Sequence, residues 1–398
     1  MKKTILAVET SCDETGLAVV EAGGGFSNPK IKVLENLVSS QIKIHRPFGG
    51  VVPNLAKREH LKNLPILFKK LKTAGTNLKN IDFITVTVGP GLEPALWTGI
   101  NFAEELAKKY KKPLFGANHL EGHLYSFLLP KSVRGSRFGV RGKTMNSKHL
   151  EPPTSRTSNM FPAIALLVSG GHTALLAMKS LRVWKKLGET RDDAAGEAFD
   201  KVARMLELPY PGGPEIERLA LSMPKGEKPS INFPKPMLNQ KNYDFSFSGL
   251  KTSVFYYLRD KKLSTNNEFN TNIRIRKFGK DSLFADVAAS FQRAVIEVLV
   301  VKTMRAAKEY GARSIILCGG VAANKKLRSN LRQATRFAND SPRFGEAGAR
   351  RARDKEIKFI VSDLEYNNDN AAMIAAAAYI GLSRKKKYKL EAKGYLNI

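Results

Sequence analysis

The chain has 398 residues, 42% of them hydrophobic, enough to bury the cores of two or three domains or of one large bilobed unit. Its 66 Lys and Arg against 36 Asp and Glu leave a formal charge of +30, which favours a polyanionic partner such as a nucleic acid without saying which one. Two distant cysteines, Cys12 and Cys318, exclude a disulfide framework; the apolar run before Glu9 is too short for a secretory signal, and no run could cross a bilayer. No membrane contact and a cytoplasmic location are the expectation.

In chain order, the first predicted unit is a strand over Thr4–Val8, a polar loop over Glu9–Thr15 and a returning strand over Gly16–Glu21. The next informative stretch is Asn118-His-Leu-Glu-Gly-His-Leu-Tyr125. On a helix, residues four apart share one face at about 5–6 Å between Cβ atoms, so His119 and His123 can reach one metal ion. A zincin protease needs Glu directly after the first His; here Glu121 comes one position later and would point away from the metal face. The pair suggests a metal site of another kind, against the alternative of two ordinary helix histidines.

Residues 131–160 carry seven Lys or Arg among Gly, Ser and Pro, with Glu151 the one acid, and are expected to form a mobile basic insertion. The opening pattern then returns: a strand over Ala163–Val168, a tight Ser169-Gly-Gly-His172 loop, and a strand over Thr173–Met178. Two similar openings suggest an internal duplication. A third strand-to-helix junction follows at Ser314–Cys318 and Gly319–Asn324. The Lys/Asn-rich stretch 259–280 and the Arg/Ala/Gly-rich stretch 334–356 read as surface insertions, and Ala371–Gly381 as a tightly packed helix.

Glycine loops at strand ends let backbone N–H groups approach a phosphate. The plan is that of the actin, sugar-kinase and Hsp70 superfamily: an α/β fold of two similar lobes with a nucleotide cleft between them. The expected lobes are 1–130 and 161–369, with a helix over 370–395 packing back on the first. No P-loop or dinucleotide fingerprint is present.

With these loops placed, the chain resembles the TsaD-type tRNA N6-adenosine threonylcarbamoyltransferases. The matching segments are Glu9–Gly16, Gly49–Pro53, Gly89–Leu92, His119–His123, Leu167–Thr173, Asp192–Lys201, Tyr210–Pro214, Asp244–Thr252, Cys318–Asn324 and Asp369–Ile374. They follow family order nearly end to end. Departures fall at Asn54 and Lys57, at Glu93-Pro94 and at Tyr366–Asn368.

The resemblance implies that Asp369 joins His119 and His123 around one divalent metal, Fe2+ favoured and Zn2+ an alternative, leaving coordination positions open. Asp369 could instead cap the Ala-rich helix. It further implies that Leu167, Val168, Ser169, Gly170, Gly171, Asp200, Gly213, Glu217 and Asn324 hold an adenine nucleotide or threonylcarbamoyl-AMP. A salt bridge to Lys201 is the competing role for Asp200, and a helix cap that for Asn324. The implied reaction moves the threonylcarbamoyl group from its AMP anhydride to N6 of adenosine 37 in tRNAs reading codons that begin with A. Asp13 or Glu14 is the candidate base, with Glu9 as substitute and solvated loop acids as the alternative. Implied partners are tRNA, a TsaB-like paralogue and a TsaE-like ATPase. A small-molecule kinase or carbamoyltransferase of the same superfamily, and a non-catalytic scaffold, are the competing functions.

Overall fold

The computed structural model describes residues 2–25, 27–75, 77–130, 157–224, 226–261, 280–340 and 356–398. Strands β1 (Lys3–Glu9), β2 (Glu14–Gly23) and β3 (Lys30–Ser40) form an antiparallel meander. β4 (Phe83–Gly89) then pairs parallel to β1 and β5 (Leu114–Asn118) parallel to β4, giving the order β3-β2-β1-β4-β5. The second sheet repeats this: β6 (Ala163–Val168), β7 (Thr173–Met178) and β8 (Trp184–Glu189) are antiparallel. β9 (Ser314–Cys318) and β10 (Lys358–Val361) add in parallel, in the order β10-β9-β6-β7-β8. The duplication expected from the strand openings is therefore complete, and the Gly319 junction after β9 is the counterpart of the Gly89 junction after β4. The start of β2 differs from expectation. Glu14 and Thr15 already pair with Ser40 and Ser39, so they belong to β2 rather than to the loop.

The central strands β6 and β9 are buried along their whole length, because both faces of each sheet are covered. After the single turn α1 (Ile42–His45), helices α2 (Pro53–Thr73) and α3 (Glu93–Tyr110) cover the outer face of the first sheet. They place Leu64, Leu67, Leu71 and Ile100 with Leu6, Val8, Leu17 and Ile84 in one core. The metal-motif helix α4 (His119–Tyr125) lies between the sheets. Over the outer face of the second sheet lie α5 (Ala195–Met205), α6 (Gly212–Ala220), α7 (Ser248–Asp260), α8 (Lys280–Glu309) and α9 (Lys325–Asp340).

Helix α10 (Ala371–Ser383) is buried at every residue from Ala371 to Ile380, as an all-apolar helix must be, and its alanines let it lie close against β1, β2 and α4. It ends at Ser383, well short of residue 395. The remaining tail is not helical; it runs back along the first sheet, with Lys393 N–H donating to Val88 O and Gly91 N–H to Gly394 O. Helix α9 extends to Asp340, so the first residues of the expected 334–356 insertion are helical; 341–355, the basic 131–156 and most of 259–280 lie outside the described residues. Among the described residues no helix is long and apolar enough to cross a membrane, and Cys12 and Cys318 are free.

Candidate metal centre and nucleotide cleft

Helix α4 starts because Asn118 caps it: its Oδ1 accepts from Leu120 N–H at 2.8 Å and Glu121 N–H at 3.2 Å. The helix then presents His119 and His123 on one face, ring centres 4.7 Å apart. Asp369, at the foot of α10, brings Oδ1 to 3.5 Å from His119 Nε2 and 3.1 Å from His123 Nε2. All three ligand atoms lie within 4.8 Å of one another. The capping alternative for Asp369 is excluded by its neighbour. Asn370 caps α10, accepting from Met373 N–H at 3.0 Å, which leaves the Asp369 carboxylate to the histidines.

The donors fit a divalent ion. His123 Nε2 is buried and faces Asp369 Oδ1 without hydrogen-bond geometry to it or to any other described residue, a costly state that an ion held between the two would relieve. Burial pulls the His119 imidazole down, yet the facing Asp369 and Glu9 carboxylates raise it to about 9. Burial likewise pushes Asp369 up, and the two histidines bring it down to about 2. The Asp369 and Glu9 carboxylates thus favour a positive charge between them. Behind it, Ser11 Oγ lies 3.0 Å and Glu9 Oε2 3.3 Å from His119 Nδ1, which fixes the ring so that Nε2 faces the site. Glu9 also accepts from Ser11 N–H at 2.5 Å and Thr87 Oγ–H at 2.6 Å. It is fully committed, and unsuited to the role of substitute base. Glu121 points away from the histidines, as expected, and pairs with Arg384 at 2.7 Å and Lys386 at 3.0 Å.

Across the cleft, the Ser169–His172 loop closes on itself: Ser169 N–H donates to His172 O at 2.8 Å and His172 N–H to Ser169 Oγ at 3.2 Å. The N–H groups of Gly170 and Gly171 meet no acceptor among the described residues, and a Cβ on either would enter open space. Leu167 and Val168 supply the buried strand that carries the loop. Two glycines make the cradle possible. A Cβ on Gly196 would stand 2.5 Å from Ser169 O, and one on Gly319, whose φ is +93°, 2.3 Å from Val168 O. Burial and the imidazoles of His119 and His123 depress His172 to about 4, so it is a neutral ring beside the ligands.

Asp200 is not in a salt bridge with Lys201, which pairs with Asp193 and Glu197. Its Oδ1 accepts from Gly212 N–H at 2.7 Å at the start of α6, and burial raises it to about 6. Gly213, next to it, borders open space. Asn324 takes its capping role: Oδ1 accepts from Leu327 N–H at 2.8 Å and Nδ2 donates to Gln292 Oε1 at 2.8 Å. Glu217 Oε1 accepts from Lys325 N–H at 2.7 Å at the same helix start, leaving its other oxygen uncommitted. Asp13 is buried with Oδ2 unpartnered among the described residues, whereas burial and the Asp13 and Asp369 charges hold Glu14 well above the ordinary carboxylate range.

Sequence reasoning missed Tyr210. Its phenol is held neutral by burial and by Asp13, Cys12, Asp200 and Glu14, so acids from both lobes share one cleft wall. It also missed a bridge over that cleft: Arg46 Nε donates to Tyr210 O at 3.1 Å and Arg204 Nη2 to Gly49 O at 2.5 Å. Both arginines flank glycine and proline motifs, yet nothing in their spacing pairs them.

The model of the family described as TsaD, tRNA N6-adenosine threonylcarbamoyltransferase, matches residues 32–134 and 146–376. The tRNA N6-adenosine threonylcarbamoyltransferase of Thermosipho africanus (strain TCF52B) is 43% identical, covering 94% of this chain and 93% of the relative. That of Thermosipho melanesiensis (strain DSM 12029 / CIP 104789 / BI429) is 41% identical, covering 99% of both. Among solved structures, T. kodakarensis HypF superposes with a TM-score of 0.53 at 13% identity, covering 96% of this chain and 48% of HypF, a likeness of fold alone.

Proposed function

Because the chain belongs to the tRNA N6-adenosine threonylcarbamoyltransferase family, we propose that its cleft transfers a threonylcarbamoyl group from threonylcarbamoyl-AMP to N6 of adenosine 37 in tRNAs reading codons that begin with A. The chain is a transferase acting on tRNA. The observation that carries the finer reading is the His119, His123 and Asp369 set, whose three ligand atoms converge without hydrogen-bond geometry at His123, opposite an open glycine cradle in a bilobed fold.

His119, His123 and Asp369 would hold the divalent ion, with Fe2+ the first candidate and Zn2+ the second. When bound, such an ion supplies Lewis-acid stabilisation of developing negative charge beside the cradle. Gly170 and Gly171 offer N–H donors to the leaving phosphate, a fixed electrostatic contribution that needs no rearrangement. Asp200 would accept from a ribose hydroxyl, and Gly213 leaves room for the sugar; Glu217 has one free oxygen for the same purpose. Asn324 shapes the wall as a helix cap. Asp13 is the better candidate for receiving the proton of the attacking amine, since its buried Oδ2 has no partner among the described residues, whereas Glu14 Oε1 accepts from Ser40 Oγ–H. This reading includes a TsaB-like paralogue, a TsaE-like ATPase and a cytoplasmic location alongside tRNA.

The test is transfer from threonylcarbamoyl-AMP to unmodified tRNA, with the two partner proteins supplied and the modified nucleoside measured. Wild type should form product, and His119→Ala and His123→Ala should not, while both variants keep the wild-type circular dichroism. Undiminished product from a metal-stripped His119→Ala protein would remove the metal set from the reaction.

A further inference from the structure

We propose that the β7–β8 edge of the second sheet and the chain just after α10 together form a docking surface for the phosphate backbone of tRNA. The inference rests on tRNA being the substrate, as read above. Two basic segments distant in sequence are locked side by side. Arg384 lies 4.8 Å, and Lys386 6.0 Å, from the centre of the Trp184 ring. Trp184 Nε1 donates to Tyr125 Oη at 3.0 Å, and Tyr125 Oη–H to Leu181 O at 2.8 Å. Arg384 and Lys386 both reach the buried Glu121. These contacts spend one acid on holding two cations in place.

Around that lock stand Lys179, Arg182, Lys385 and Lys387, all exposed and without an ion pair among the described residues. Like charges gathered in this way repel, and the repulsion is relieved by a polyanion. An edge strand gains protection from lysines, which accounts for Lys185 and Lys186 on β8 but not for the lysines of the tail.

The surface also lies where a substrate would need it. Trp184 and Lys186 pair with Met178 and Leu176, side chains of the core between the sheets, so they share the face that looks toward α4. Strand β7 joins His172 to this edge over six residues, roughly 20 Å at about 3.3 Å each. A tRNA whose base enters the cleft could therefore bring phosphates several nucleotides further along its backbone over these cations.

The experiment substitutes Lys179→Ala, Arg182→Ala, Lys385→Ala and Lys387→Ala together in the full chain and titrates it with unmodified tRNA across a salt series. The slope of log affinity against log salt should flatten by roughly 0.7–0.9 for each phosphate contact removed, about 3 in all, with the melting temperature unchanged. A charge-keeping variant, Arg182→Lys with Lys387→Arg, should hold the wild-type slope. Wild type binding tRNA while the alanine variant keeps the same slope would overturn the surface alone and leave a solvated edge. A wild-type chain that binds no tRNA would overturn the substrate reading as well. Loss of binding to anionic phospholipid vesicles, with tRNA binding untouched, would reassign the patch to a membrane and overturn the proposal.

Discussion

The Glu9 carboxylate lies 3.3 Å from His119 Nδ1, on the side of the ring opposite Asp369. It is wholly buried and orients the imidazole from the first strand, 110 residues upstream of the ligand it serves. Replacing Glu9 by Gln keeps the shape but loses the charge that favours metal binding at Nε2. Metal affinity, read by competition with a chelator, should fall about 10–100-fold. Unchanged affinity would make Glu9 a purely structural acid.

Glu121 and His123 are neighbours on α4 with opposite expected effects. His123→Ala should abolish transfer with a near-normal melting curve. Glu121→Ala leaves Arg384 and Lys386 without their shared acid, and should cost roughly 1–3 kcal/mol of stability because both cations are partly exposed. The folded Glu121→Ala protein should still transfer. Loss of transfer as deep as that of His123→Ala would bring Glu121 into the reaction.

Asp200 gives a pH signature. Burial raises its carboxyl to about 6, above the unfolded value of about 4. The folded state thus prefers the protonated acid: that contribution is complete below about pH 4 and is lost as pH rises through about 6. Relative to Asp200→Asn, the wild-type melting temperature should decline across this window and level off above it. Adenosine has no group titrating near pH 6, and its affinity should rise over the same range in wild type but not in the variant. Parallel adenosine titrations for the two proteins would place the ribose elsewhere.

The tail supports the metal helix from behind. Asn118 Nδ2 donates to Asn397 O at 3.1 Å while its Oδ1 caps α4. Removing residues 397–398 should lower stability by about 1 kcal/mol and weaken metal binding slightly. Removing 384–398 also strips Leu390, Ala392 and Leu396 from the first-sheet core and leaves Glu121 unpaired, so melting temperature and metal affinity should drop much further. Equal metal affinity in all three proteins would separate the tail from the site.

Much of this site could be read from sequence because its signals are local. The i, i+4 histidines, the glycine loops and the paired strand openings each lie within a few residues, where backbone geometry alone decides which way side chains and N–H groups point. The same locality explains what stayed open. The choice between capping and ligation at Asp369 turned on Asn370 taking the cap, and Asn324 caps its helix by accepting from Leu327 N–H. The long-range partners of Glu9, Tyr210, Arg46 and Arg204 lie between about 80 and 165 residues away, so no spacing encodes them. The sequence by itself determined the lobes' shared strand plan, the helix with its paired histidines and the open glycine loop, all products of short-range periodicity and glycine stereochemistry. Tertiary structure decided which acid serves which histidine, where α10 ends and where the tail's lysines come to rest, because burial and long-range packing choose among side-chain roles that local propensity leaves equivalent.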